Sequence, residues 1–392
     1  MYLNPRNLKE TISLVETNIN LQIANINSEN SEEYLEVAIP YLIGPPGGGK
    51  TSIIKQLCEK NNWGLLSFHP GLSSIEELTG IPTFEKLKYN QEEIIGTIWS
   101  IPEVICKLNK LSEKFEKIIF FLDDMHLSGP NIMAIMYRLL TDREIKSFKL
   151  PDNCAMVLAG NYGNKTGAKT MFSAIINRVV LLPIYTNFND WKKDFALPKK
   201  IHPAIITFLQ QNSKYFHGEE LTDSAWPSPR SWSKLSTLIK SYENQINSQI
   251  PMDICQYLAA GHVGPDASAD FTKYYFLFMK FNIEKYLKNY EKFRISDYTS
   301  SDVEIFTLGL AIASHFGGDK SPKYLNYANI IKPFLIDYPE VGIIILKEID
   351  NAEKSTGGGR GTKFTKLLME LNKLDPNLVR DIINQIKNAD VE

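Results

Sequence analysis

Eight consecutive residues near the start of the chain have the types and spacing of a phosphate-binding loop. They run from Gly44 to Thr51 and fit the pattern Gly-x4-Gly-Lys-Ser/Thr. Glycines allow a tight turn whose backbone N–H groups point inward at an anion. Lys50 is placed to reach terminal phosphates, and the Thr51 hydroxyl to complete the oxygen shell of Mg²⁺. The pattern predicts binding of a nucleoside triphosphate, with these residues in contact: Gly44, Pro45, Pro46, Gly47, Gly48, Gly49, Lys50, Thr51 and Ser52.

The sequence on both sides of this loop supports the same prediction. An apolar run, Val37 to Ile43, predicts a buried strand ahead of the loop. The residues after it, Thr51 to Lys60, have apolar side chains at helical spacing and predict an amphipathic helix. A Gly/Pro turn beside a surface lysine is the alternative, but it requires neither the strand nor the helix.

Polar residues follow two other apolar segments at the point where each ends. Asp123 and Asp124 come after the run Lys117 to Leu122, and Asn161 follows the run Cys154 to Ala159. Ligands of parallel sheets bind at the carboxyl ends of the strands. We therefore expect Asp123 to hold Mg²⁺, Asp124 to orient an attacking water, and Asn161 to hold that water or contact the terminal phosphate. The alternatives are a helix cap for the acidic pair and a turn for the asparagine.

Transfer of a phosphoryl group concentrates charge on its equatorial oxygens, so a guanidinium group is also expected. Arg178 follows a predicted helix just before an apolar run, Arg230 starts a helix further on, and Arg143 ends another. A solvated or salt-bridged surface arginine is the alternative for each of them. His126, two residues after the acidic pair, is predicted to be structural.

The order of the predicted elements indicates an α/β fold. Apolar segments alternate with helical patterns as far as about residue 187, which favours a central parallel five-stranded sheet covered on both faces. The stretch between Ile81 and Pro102 has the pattern of an inserted hairpin. Beyond residue 187 the strand signals end and proline-marked helical segments follow. We expect a nucleotide-binding core over residues 1–187 and helical segments beyond it, with the glycine run 356–362 as a linker.

Composition narrows the classes of partner. With 392 residues the chain is too long for one ordinary core, and its net charge of −2 gives no reason to expect a nucleic-acid partner. No apolar stretch approaches the length of a membrane span, and the N-terminus does not resemble a signal peptide. Four scattered cysteines predict buried thiols in a reducing, cytoplasmic setting: Cys58, Cys106, Cys154 and Cys255.

Taken together, these motifs resemble those of AAA+ ATPases, and more narrowly of their MoxR-type branch, over roughly residues 15–280. The loop Gly44–Thr51 is similar to the family's Walker A motif, and Ile118–Asp124 to its Walker B motif. Asn161 stands where the sensor 1 motif has its polar residue. The resemblance implies an ATPase that requires Mg²⁺. It also implies a division of the helical segments into a helical lid over 188–285 and a helical extension over 286–392.

The resemblance also gives the arginines roles. Ile176–Val179 is similar to the segment that carries an arginine finger offered to a neighbouring subunit, here Arg178, and Ser228–Arg230 is similar to sensor 2, whose arginine touches the nucleotide from the lid. Leu78–Gly80 resembles the insert region that precedes a hairpin, and Arg143 matches an arginine common after the helix that follows Walker B.

What the resemblance implies is a ring, expected to be a hexamer, with ATP bound between subunits and Arg178 acting in trans. Such proteins act as chaperone-like motors that remodel or mature a protein client, often beside a partner with a von Willebrand A domain. One position departs from the pattern, because the family's Walker B motif ends in Asp-Glu and this chain has Asp124 instead of the glutamate. The shorter side chain allows a slow or non-hydrolysing ATP-gated scaffold as one alternative. A nucleic-acid motor or restriction-type GTPase is the other.

Overall fold

The chain divides into two compact units, Met1–Thr186 and Asn187–Glu392. The computed structural model describes residues 8–26, 37–89, 92–161, 173–218, 223–355 and 362–380. Each unit is described by itself below.

The first unit is built around a five-stranded parallel sheet. Its strands in chain order are β1 (Ile39–Ile43), β2 (Gly64–Phe68), β5 (Ile118–Leu122), β8 (Cys154–Gly160) and β9 (Val179–Pro183), and their spatial order is β2-β5-β8-β1-β9. The helices of this unit are α1 (Leu8–Ile26), α2 (Lys50–Asn61), α3 (Ile75–Thr79), α4 (Glu103–Ser112), α5 (Pro130–Asp142) and α6 (Ser173–Ile176). Two antiparallel hairpins complete it, β3 (Pro82–Tyr89) with β4 (Glu92–Trp99), and β6 (Glu144–Ile145) with β7 (Phe148–Lys149).

The sheet is covered on both faces, as the continuous burial of its central strands requires. Along β5, Phe120 packs into one hydrophobic cluster with side chains of α4 and α5, while Phe121 packs into the opposite cluster with side chains of α1 and α2. Every residue of β5 and β8 is buried. Parallel strands covered by helices on both faces read as continuous apolar runs, which is why the sequence indicated them.

The second unit is helical throughout the residues that the structure describes. Its helices are α7 (Phe188–Trp191), α8 (Pro203–Gln211), α9 (Pro229–Ile246), α10 (Met252–Val263), α11 (Pro265–Lys280), α12 (Ile283–Lys288), α13 (Asp302–Gly318), α14 (Tyr324–Asp337), α15 (Pro339–Ser355) and α16 (Thr362–Leu374). Their side chains form two hydrophobic clusters, one between residues 191 and 275 and one between residues 281 and 379. The predicted fold class, a five-stranded parallel sheet followed by a helical region, is confirmed.

Several details differ from the sequence predictions. The sequence pattern from Ile101 to Phe115 predicts a helix over that range, but the helix begins at Glu103, because Pro102 caps it. The hairpin β6–β7 was not predicted, since strands of two residues have no periodicity. All four cysteines are free, but Cys106 is only half-buried and not buried as expected. The glycine run at 356–361 and residues 170–172 of a predicted helix lie outside the described residues.

None of the helices in the described ranges is long and apolar enough to span a membrane.

Candidate functional site

The loop between β1 and α2 has the backbone conformation of an anion cradle. Gly47 and Gly49 have φ values of 73° and 90°, a left-handed region that favours glycine. The Gly48 N–H donates to the Pro45 carbonyl at 3.1 Å, and the Thr186 hydroxyl donates to the Gly48 carbonyl at 2.7 Å. A side chain at Gly44 would place its Cβ 2.6 Å from the Ile184 carbonyl oxygen. The loop therefore depends on its glycines at defined positions.

Lys50 is the first residue of α2, and its side chain lies folded against the loop. It is only 7% exposed. Its Nζ donates to the carbonyl oxygens of Gly44 at 3.0 Å and Pro45 at 3.1 Å, and to Asn161 Oδ1 at 2.8 Å. A buried ammonium requires such acceptors. The lysine of the loop and the amide at the end of β8 are thereby in direct contact.

Thr51 and Asp123 form the oxygen pair expected for a magnesium site. The Thr51 hydroxyl donates to Asp123 Oδ2 at 2.7 Å, and Asp123 is 5% exposed. The second carboxylate oxygen of Asp123 accepts the N–H of Asp124 at 3.0 Å. Hydroxyl and carboxylate oxygens suit Mg²⁺, which is commonly bound through one or two carboxylates together with substrate phosphates. In the described ranges no group of three or more His, Cys, Asp and Glu side chains lies close enough to hold a metal ion.

Asp124 follows Asp123 but has a different environment. Its φ of 54° places it in the left-handed region, which Asp and Asn adopt more readily than most residues. Its carboxylate is partly exposed and lies 3.9 Å from Nδ1 of His69, at the end of the neighbouring strand β2. The two carboxylates of the pair therefore have separate partners, and their two roles in the reaction stay a prediction.

Asn161 ends β8 and is held by a histidine from the turn after β5. The backbone N–H of Asn161 donates to Nδ1 of His126 at 3.3 Å. Burial lowers the pKa of His126 and nearby Lys50 lowers it further, against the opposing charges of Asp124 and Asp123. The sequence predicted a structural His126, and spacing along the chain carried no signal of its contact with Asn161.

Tyr41 in β1 is a residue near the site that the sequence did not indicate. Gly160 packs against it so closely that a Cβ on Gly160 would lie 2.2 Å from the tyrosine hydroxyl oxygen. Burial, and to a lesser extent the charge of Asp124, raises the pKa of Tyr41 to about 12. The tyrosine is therefore neutral, and it fixes the backbone just before Asn161.

Of the three predicted arginines, Arg178 and Arg143 lie at the amino end of the sheet, away from this network. Arg178 precedes β9, and its carbonyl accepts the N–H of Ile39, at the amino end of the sheet. Its guanidinium lies over the Tyr137 ring at 4.3 Å and donates to the Thr141 hydroxyl at 2.8 Å. Five residues of strand separate it from the loop end of the sheet, a length of about 16 Å. Arg178 is therefore remote from the loop of its own chain.

Arg143 and Arg230 have different surroundings. Arg143 caps α5 in a left-handed conformation and donates to the Pro151 and Cys154 carbonyls at 3.3 and 2.5 Å. Those contacts join α5 to the start of β8. Arg230 is exposed in the first turn of α9, whose cap is a reciprocal pair between Ser228 and Ser231. Arg230 belongs to the second unit, and its contact with nucleotide stays a prediction.

The strand arrangement and the loop together define the P-loop nucleoside-triphosphatase class of fold. No protein-family model matches the chain, and no curated protein matches it. Among solved structures, the chain is similar to RuvB of Thermotoga maritima, described as a Holliday junction branch migration motor, with 13% identity and a TM-score of 0.34 over 74% of this chain and 80% of that one. A mutant of the same protein gives a TM-score of 0.36 with the same identity and coverage.

Proposed function

We propose that this chain is an Mg²⁺-dependent ATPase of the AAA+ type, with its nucleotide held by the loop Gly44–Thr51. The observation that carries the proposal is the network at the carboxyl edge of the sheet. It joins Lys50 to Asn161 after β8 and Thr51 to Asp123 after β5, so residues of the loop contact the carboxyl ends of two other strands. A surface turn beside an exposed lysine would not bury these side chains or link them.

Each residue of the network has a separate role in the proposed phosphoryl transfer. Backbone N–H groups of the loop bind the phosphates, and Lys50 exchanges its carbonyl acceptors for phosphate oxygens. Thr51 and Asp123 hold Mg²⁺, which neutralises negative charge on the phosphates when bound. Asp124 orients the attacking water and accepts its proton, and the Asn161 amide fixes the water against the terminal phosphate.

The remote position of Arg178 supports a shared active site. A guanidinium at the amino end of the sheet cannot reach a phosphate on the loop of its own chain. It can reach one bound to a neighbouring copy, which is the role that the AAA+ resemblance assigns to it. We therefore propose a homo-oligomeric ring, expected to be a hexamer, in which Arg178 acts in trans and Arg230 contacts the nucleotide from the lid.

A protein client is the partner we favour. On one face of the hairpin β3–β4, Phe84 and Ile95 lie diagonally across from each other and are 77% and 76% exposed. Contiguous patches of exposed apolar side chains mark surfaces that contact other proteins, and these two side chains lie on one face of the hairpin. They support a MoxR-like motor that remodels a polypeptide, with a von Willebrand A domain protein as the expected accessory partner. A nucleotide-gated switch with slow hydrolysis is the second candidate, and the short side chain of Asp124 favours it.

Nucleotide titrations test the proposal directly. We expect a fluorescent ATP analogue to bind the wild-type chain in the presence of Mg²⁺ and to bind Lys50→Ala at least about tenfold more weakly. Lys55→Ala is the matched control, because Lys55 is an exposed lysine on the same helix, α2. Equal affinity of the wild type and Lys50→Ala would contradict the proposal. Parallel titrations with GTP decide the base preference, and chelation of Mg²⁺ with EDTA tests the metal requirement.

A further inference from the structure

His126 has contacts that the proposed reaction has not used. It lies in the short turn Met125–Leu127 after the acidic pair and is 7% exposed. Its Nδ1 accepts the backbone N–H of Asn161 at 3.3 Å, and its Nε2 lies 3.5 Å from the Asn161 amide nitrogen. The imidazole therefore meets both the main chain and the side chain of the residue at the end of β8.

The chemistry of the donor fixes the state of the ring. A backbone N–H can only donate, so Nδ1 must be an unprotonated acceptor and Nε2 carries the proton of the neutral ring. Two donors face each other at Nε2 and the amide nitrogen, so that approach is a packing contact. The hydrogen bond at Nδ1 holds the backbone of Asn161, while the packing contact limits where its amide can turn.

The amide that His126 restrains is the one that contacts Lys50. Asn161 Oδ1 accepts from Lys50 Nζ at 2.8 Å, so the order of contacts is His126, Asn161, Lys50. Gly160 before Asn161 is packed against Tyr41 and leaves the backbone little freedom on that side. A displacement of about 1 Å at a group that orients reactants can cost as much as a hundredfold in rate.

We propose that His126 is a positioning residue that sets the Asn161 amide against the terminal phosphate of ATP. This inference rests on the proposed function. His126 touches neither phosphate nor water in this account, and it acts only through Asn161. Its loss should change turnover and the discrimination of ATP from ADP while leaving the affinity for ADP unchanged.

Two substitutions of His126 distinguish a role in positioning Asn161 from a role in folding, because each keeps a polar atom near one of the two ring nitrogens. Asparagine at position 126 places its Oδ1 close to where Nδ1 lies, whereas glutamine places its acceptor near Nε2. We expect His126→Asn to retain kcat within about threefold of the wild type. We expect His126→Gln to lose about tenfold in kcat and to raise KM for ATP severalfold, because the displaced amide no longer contacts the terminal phosphate. Thermal unfolding of both variants controls for stability.

A double-mutant cycle tests whether His126 acts through Asn161. In an Asn161→Ala background, His126→Asn and His126→Gln should have the same kcat, because the amide they position is absent. Equal kcat of the two variants in the wild-type background would overturn the proposal. A tenfold difference that persists without the Asn161 side chain would also overturn it.

Binding measurements keep the test independent of turnover. The ratio of ADP to ATPγS dissociation constants should fall severalfold in His126→Gln and stay at the wild-type value in His126→Asn, because the amide senses the terminal phosphate. If the wild type binds nucleotide without hydrolysing it, hydrolysis fails as a function and this ratio still decides the role of His126. An unchanged ratio in His126→Gln would then refute the positioning role.

Discussion

At the scale of single residues, the site was largely predictable because its chemistry requires particular residue types at fixed spacing. The loop glycines, Lys50, Thr51 and Asp123 could be named from their order in the sequence, and the structure brings them together. Tyr41 could not be named, and His126 was named only as a structural residue, because their contacts with the backbone around Asn161 arise only when strands distant in sequence become neighbours. The backbone conformation at position 124 also explains why the chain has aspartate there instead of glutamate. A φ of 54° suits aspartate better than the longer glutamate.

Replacement of the Asp124 carboxylate by an amide isolates its role in hydrolysis. Asparagine has the same shape and the same tolerance for a left-handed backbone, so Asp124→Asn should fold and bind ATP as the wild type does. It cannot accept the proton of the attacking water, and we expect kcat to fall by about 10²- to 10⁴-fold. Single-turnover hydrolysis and an ATP titration on the same sample measure the two effects. Wild-type turnover by Asp124→Asn would remove Asp124 from the reaction.

The contact of Gly160 with Tyr41 gives a second prediction at this scale. Alanine at position 160 would bring its Cβ within 2.2 Å of the tyrosine hydroxyl oxygen, so one of the two must move. Overpacking of this kind costs about 1–3 kcal/mol. We expect Gly160→Ala to lower the free energy of unfolding by that amount, measured by chemical denaturation. Tyr41→Phe combined with Gly160→Ala should recover part of the loss, and strict additivity of the two changes would contradict the contact.

At the scale of elements, the sequence indicated the five strands and the helices that cover them because buried parallel strands read as apolar runs. The first residues of the helices were less predictable, since capping residues at the helix ends determine where a helix begins. Pro102 delays the start of α4, and prolines occupy the first turn of α8, α9 and α11. Polar contacts between helices were not predictable at all. The buried cluster of His202, Glu243 and Tyr275 joins three helical segments that are distant in sequence.

This cluster predicts how the stability of the helical unit depends on pH. Burial works against the Glu243 carboxylate, but hydrogen bonds from His202 and Tyr275 outweigh it, so the pKa of Glu243 lies below its ordinary value. A depressed carboxyl pKa contributes stability above the unfolded pKa, about 4.3, that is lost as the pH falls through the folded value. We expect Glu243→Gln to cost about 1–3 kcal/mol at pH 7.

Chemical denaturation of the wild type and Glu243→Gln at several pH values measures this effect. The wild type should lose more stability than the variant between pH 6 and pH 3, because only the wild type has a carboxylate to protonate at this position. Parallel curves for the two proteins over that range would show that the hydrogen bonds do not hold Glu243 in its charged form. Glu291→Gln is a suitable control, since Glu291 is exposed in the same unit.

At the scale of the whole molecule, the chain has one unit with a phosphate-binding loop and one helical unit, and we propose that identical chains form a ring. The sequence indicated the change from an α/β to a helical architecture near residue 187, because the strand signals end there. The expected division of the helical region at residue 285 stays a prediction. The pattern of apolar residues in the sequence does not predict an oligomer, since a subunit interface has about the same apolar fraction as the rest of the protein surface. The position of Arg178 is the feature that makes assembly testable.

Mixed oligomers test the trans role of Arg178. Arg178→Ala should bind ATP normally but lack turnover, and Lys50→Ala should lack binding while it still offers its own Arg178. Mixing the two should restore partial activity, because some interfaces then pair a competent loop with a competent arginine. Steady-state hydrolysis against mixing ratio measures the recovery, with native mass spectrometry to show that mixed rings form. Proven mixed rings without activity at any ratio would contradict the assignment.

The central claim is that this chain hydrolyses ATP at a site completed by assembly. It is tested most directly by steady-state ATP hydrolysis over a range of protein concentrations, with mass photometry on the same samples. The account predicts a specific activity that rises as the ring species appears and that is absent in Lys50→Ala at every concentration. A fully formed ring that binds ATP and Mg²⁺ without turnover would contradict it.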